Sequence, residues 1–71
     1  MELPCKIKAL KYVTYGANLE MSSGQYADVT LEQEKNNNKY RTLKVTHGDT
    51  EVLFSELALL NAIKRGDFEV A

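Results

Sequence analysis

Between residues 25 and 33 apolar and polar side chains alternate without a break. Ala27, Val29 and Leu31 share one parity, and Tyr26, Asp28, Thr30 and Glu32 share the other. Only an extended chain sends every second side chain to the same side, so this segment is predicted to be a strand with one buried and one wet face. A strand cannot satisfy its own backbone, and the flanking sequence must supply its neighbours. The residues that follow do so. Asn36, Asn37 and Asn38 tolerate left-handed backbone angles and bond locally, which predicts a hairpin turn over 34–39. Residues 40–47 then form the returning strand, with Leu43 and Val45 facing inward.

Upstream, residues 5–15 are rich in β-branched and aromatic types, and Cys5, Ile7 and Ala9 alternate with Lys6 and Lys8. The phase slips at Leu10, while Val13 and Tyr15 return to the parity of Ala9. A bulge would explain this, and so would a strand buried on both faces at its far end. Residues 16–24 read as an irregular loop with Leu19 and Met21 as apolar anchors. Downstream, Gly48 and Asp49 break the strand, and residues 50–54 fit either a short fourth strand or the first helical turn. Ser55 favours the strand, because it stands as an N-cap before Glu56 and the run Leu57, Ala58, Leu59, Leu60, Ala62, Ile63. Lys64 and Arg65 suit the negative end of that helix, and Gly66 suits its left-handed C′ position. Phe68 and Val70 alternate with Asp67 and Glu69 as a candidate last strand.

The chain is therefore predicted to be α+β, mainly β: an antiparallel curled sheet or a partial small barrel with one packed helix. The element order, β-β-β-(β)-α-β, resembles the first part of an OB-type barrel, in which a helix sits between the third and fourth strands. A full barrel of that kind needs a further strand, so an open curled sheet is the alternative. With 71 residues, 44% hydrophobic and 27% charged, residues 1–71 are expected to form a single globular domain. A core of this size gives little stability margin, and the single cysteine, Cys5, excludes an internal disulfide. Self-association is the expected staple, and a reducing cytoplasmic setting is the expected location. The apolar stretch 52–63 is interrupted by Ser55, Glu56 and Asn61, too short and too polar for a bilayer span. A net charge of −1 gives no global attraction to nucleic acid or anionic membrane.

His47, Asp49 and Glu51 are spaced two apart and would share one side of an extended chain, as metal ligands or an acid–base pair do. The turn expected at Gly48 and Asp49 breaks that alignment. Cys5 would need His47 as its base to act as a nucleophile; its parity with Ile7 and Ala9 instead suggests a small buried hydrophobe. Phosphate-binding loops, nucleophile elbows, CxxC pairs and HExxH motifs are missing from the sequence. The expectation is a protein that is not an enzyme, with no catalytic, cofactor-binding or metal residues and no cofactor.

Two surfaces are candidates for binding. The helix over 55–65 carries an apolar arc broader than one small sheet needs, so Leu57, Leu59, Leu60 and Ile63, with Phe68, are expected at a protein interface. This makes the leading expectation a small accessory or regulatory protein that binds another protein, as a homo-oligomer. The alternative is a binder of single-stranded nucleic acid through a sheet face bearing Lys6, Lys8, Tyr26, Tyr40 and Lys44, where rings stack bases and lysines neutralise phosphates. Asp28 and Glu32 stand on that same face and oppose it.

Overall fold

The computed structural model describes residues 1–35 and 39–71. Seven strands and one helix follow in the order β1 (Cys5–Ala9), β2 (Val13–Tyr15), β3 (Leu19–Met21), β4 (Tyr26–Gln33), β5 (Thr42–His47), β6 (Thr50–Ser55), α1 (Glu56–Arg65) and β7 (Phe68–Val70). Five strands form one sheet in the order β6-β5-β4-β1-β7, every pair antiparallel, and β2 and β3 form a separate hairpin. The sheet is open rather than closed into a barrel, and the helix lies between the sixth and seventh strands. The α+β, mainly β class holds with its single helix, and the curled-sheet alternative is the one the chain adopts.

The local chemistry explains most of these elements. β4 and β5 pair through Val29↔Val45 and Leu31↔Leu43, which puts their apolar parities on one face; the register shifts by a residue between Leu31 and Gln33. The tip of that hairpin, with the Asn triplet, lies outside the described residues. β5 and β6 pair from His47↔Thr50 onward, so Gly48 and Asp49 make a two-residue turn. Only Gly48 of the two has positive φ (60°), the backbone that glycine adopts without strain. Ser55 Oγ accepts from the Ala58 amide and caps the helix. At the other end Gly66 takes φ 90°, donating to Ile63, while Asp67 N donates to Ala62 O; together they close the helix in a Schellman motif.

The slip in phase after Ala9 has a simple origin: the chain leaves the sheet. Residues 16–18 turn, and β3 returns against β2 in the register Val13↔Met21 and Tyr15↔Leu19, so Leu19 and Met21 anchor a short hairpin. The hairpin and helix cover one face of the sheet. The core between them comprises Ile7, Ala9, Ala27, Val29, Leu43, Val45, Phe54 and Phe68 from the sheet, Val13, Leu19 and Met21 from the hairpin, and Leu59 and Ala62 from the helix. β6 and β7 are the two edges of the sheet and point the same way, so α1 must both cross the sheet and run back along it. A ten-residue helix is about 15 Å long, short of the roughly 19 Å of four strand spacings, so Gly66 and Asp67 complete the crossover to β7. Among the described residues, no helix is long and apolar enough to cross a membrane.

Candidate functional site

The direction of the backbone groups on β6 follows from one bond. Glu56 N donates to Arg41 O at 2.8 Å, continuing the β5–β6 register beyond Thr42↔Ser55. Bonding alternates along an antiparallel pair, so Thr50, Val52 and Phe54 also bond toward β5. Glu51 and Leu53 therefore turn their N–H and C=O groups outward, along an edge where, among the described residues, no strand is paired. Natural edges are commonly blunted by Lys, Pro or a bulge. This one is six residues long, lacks all three, and carries Leu53 at 57% exposure.

Beside that edge lies a groove of about 460 Å³. Val52 and Phe54 of β6 form its floor, and Ala58, Asn61 and Arg65 form one wall, spaced along one helix flank at helical intervals. Tyr15 and Gly16, at the tip of the β2–β3 hairpin, close the far end. Gly16 has φ 62°, and a Cβ there would lie 3.7 Å from both Val52 methyls, so the hairpin tip sits directly against β6.

Tyr15 ties the three elements together. Its ring packs against Phe54 (centroids 5.0 Å apart) and Phe68 (5.6 Å), and its hydroxyl donates to Asp67 Oδ2. Asp67 is buried and also receives Arg65 Nη2 at 3.0 Å and Lys11 Nζ at 3.0 Å. The Tyr15 hydrogen bond, with those of Lys11 and Arg65, holds the Asp67 carboxyl down at about 2 against the opposing effect of burial. Burial, with the hydrogen bond to Asp67, pushes the Tyr15 phenol up. Arg65 also donates from Nη2 to the Tyr15 oxygen at 3.1 Å.

A second carboxylate cluster stands at the helix start. Glu56 binds Arg41 through Nε at 3.0 Å and Nη2 at 2.8 Å, and accepts from the Met1 amine at 2.9 Å. Arg41 first, then the Met1 amine, holds the Glu56 carboxyl at about 2.

The residues proposed for a helix interface divide. Leu59 (0% exposed) and Phe68 (1%) belong to the chain's own core, and Ile63 is half-buried against it. This corrects their assignment to an interface: the helix points Leu59 into the sheet, and Phe68 lies under the helix opposite Ala9. Leu57 and Leu60 are exposed on the outward side.

The residues of the lysine and tyrosine face divide as well. Lys6, Lys8, Tyr26 and Lys44 share the sheet face that the helix leaves open, whereas Tyr40 lies outside β5 in the segment leading to it. Lys6 pairs with Asp28 at 3.3 Å, and Lys44 reaches Glu51 at 3.7 Å and Glu32 at 4.0 Å. With Glu69 opposite Lys8, three lysines meet four carboxylates there. Cross-strand pairing of this kind solvates a sheet and offsets its positive charge.

Among the described residues, no three His, Cys, Asp or Glu side chains gather as metal ligands. His47 Nδ1 lies 2.9 Å from Tyr26 O. Burial raises the Cys5 thiol above its ordinary value, which disfavours the nucleophilic thiolate. Comparison with protein-family models, with curated proteins and with solved structures finds no match to this chain.

Proposed function

We propose that this protein is a small, non-catalytic accessory or regulatory protein that binds another protein by strand addition at the β6 edge. One observation supports this most: outward backbone groups at Glu51 and Leu53 run beside a groove with an apolar floor and a polar rim. Main-chain bonds to an exposed edge give affinity, and alternate side chains entering a neighbouring groove give specificity. Leu57 and Leu60 offer a second, smaller patch where two copies of the chain can meet. A single unpaired cysteine fits a cytoplasmic setting.

The alternative, single-stranded nucleic acid on the open sheet face, has weaker support, because two of its lysines have carboxylate partners and Tyr40 stands apart from the strand. Sedimentation velocity, alone and with a fluorescent mixed-sequence single-stranded oligonucleotide at low and moderate salt, separates the two. The expected result is no co-sedimenting oligonucleotide at either salt. Co-sedimentation that weakens as salt rises would replace protein binding with phosphate binding. The protein's own sedimentation coefficient reads the association of copies in the same run.

A further inference from the structure

The groove beside β6 has a charge as well as a shape. Among the described residues, Arg65 is the one charged side chain that lines it, and it shares its carboxylate, Asp67, with Lys11, so one anion is divided between two cations. Every side-chain hydrogen bond Arg65 makes among the described residues leaves from Nη2. A guanidinium has five N–H donors, so the Nε and Nη1 donors remain for an incoming acceptor. The side chain is 57% exposed yet held at Nη2 by Asp67 and Tyr15, which fixes the direction of its free donors. Preorganised in this way, an arginine loses less freedom when it meets a carboxylate. The nearest acidic residue on β6 itself, Glu51, stands on the opposite sheet face and is engaged with Lys44.

A second copy of the chain fills this groove poorly. In an antiparallel β6–β6 pairing the inward residues at the new seam would again be Val52 and Phe54. Phe54 is already packed in its own core, so neither copy would send a side chain into the other's groove. A strand from another protein has no such restriction.

We propose that the occupant of the β6 edge is an extended acidic segment of a partner protein. It adds as a sixth strand, rests an apolar side chain on Val52, Phe54 and Ala58, and sets an Asp or Glu side chain against Arg65. This rests on the strand-addition reading above and adds the chemistry of the partner to it.

The test pans a phage-displayed library of random nine-residue peptides on the intact protein. Enriched peptides are then synthesised with a fluorescent label and titrated by anisotropy. Enriched peptides should alternate apolar residues with an Asp or Glu. Their affinity should fall at least tenfold with Arg65→Glu and return when the peptide's acid is replaced by Lys. Leu53→Pro, which removes an outward N–H while keeping the bonds to β5, should abolish binding; N-methylation of the Leu53 amide in chemically synthesised protein serves if the proline variant does not fold.

Binding lost in the Leu53 variants but unchanged in Arg65→Glu would leave strand addition standing and overturn the acidic partner. Binding indifferent to both sites, or no enrichment at all, would overturn the proposal and the edge reading with it. Binding that vanishes when the peptide's C-terminus is amidated would assign the carboxylate to a chain terminus and overturn the side-chain source. A wild-type dimer that Leu53→Pro dissociates would show that a second copy takes the edge, and would overturn the proposal equally.

Discussion

The two ends of the helix are built around the same chemistry and put it to different use. Glu56 at the start and Asp67 just past the end are both largely buried carboxylates held at about 2, Glu56 by Arg41 and the Met1 amine, Asp67 by the Tyr15 hydroxyl together with Lys11 and Arg65. The cations differ. Arg41 is 22% exposed and folded against Glu56 and the Met1 carbonyl, whereas Arg65 and Lys11 are 57% and 59% exposed. The first cluster is closed on itself and joins the N-terminal segment, the residue leading into β5 and the helix. The second secures the hairpin through Tyr15 and leaves donors facing the groove. A buried carboxylate therefore does not by itself mark a site; the accessibility of its cations does.

Acid removes both clusters together and should have the largest effect. Both carboxyls lie below their ordinary values, so their contribution to stability is complete above about pH 4.5 and is lost as pH falls toward about 2. The urea midpoint, followed from pH 6 to pH 2, should drop through that window, and a Glu56→Gln, Asp67→Asn double variant should flatten the drop. A midpoint as steep in the double variant would place the acid sensitivity elsewhere.

Single truncations sharpen the contrast. Glu56→Ala strands an enclosed guanidinium and should cost about 3 kcal/mol in equilibrium unfolding. Asp67→Ala returns its two cations to water and leaves mainly the Tyr15 hydroxyl unpaired, so about 2 kcal/mol is expected. If Asp67→Ala costs more than Glu56→Ala, the open cluster is the stronger structural lock and the distinction drawn between the two ends fails. Arg65→Ala should leave the urea midpoint nearly unchanged, as loss of an exposed ion pair does, while still weakening the binding of acidic peptides. A loss of several kcal/mol would assign Arg65 to stability rather than to recognition.

Much of this architecture was legible in the residues. The alternation in β4, the inward pair Leu43 and Val45 in β5, and the caps Ser55 and Gly66 each express a local rule, and local rules survive folding. β2 and β3 were not legible, because three residues are too few to reveal a period: β2 read as the far end of the first strand and β3 as part of a loop with two anchors. Asp67 was misleading for a related reason. Its alternation with Phe68 places it on a wet face, but its backbone closes the helix and Tyr15 reaches it from 52 residues away. The groove is less visible still, since β6, a helix flank and a hairpin tip build it together and no one of them signals it. Tyr15 read only as the far end of the first strand, and nothing in the sequence marked it as the residue that closes the groove. The apolar arc of the helix was read as broader than one sheet needs; Leu59 and, from β7, Phe68 are buried, and Leu57 and Leu60 stay exposed.

The strand order also bears on how the molecule comes into being. β4, β5 and β6 are neighbours in sequence and in space, so this meander can assemble from short loops as soon as it emerges from a ribosome. β1 cannot finish so early: it lies between β4 and β7, and Ile7 waits for Val70. Closing so long a loop is the slow part of building a sheet. During synthesis one side of the earliest strand therefore stays bare until almost all of the chain described here has been made.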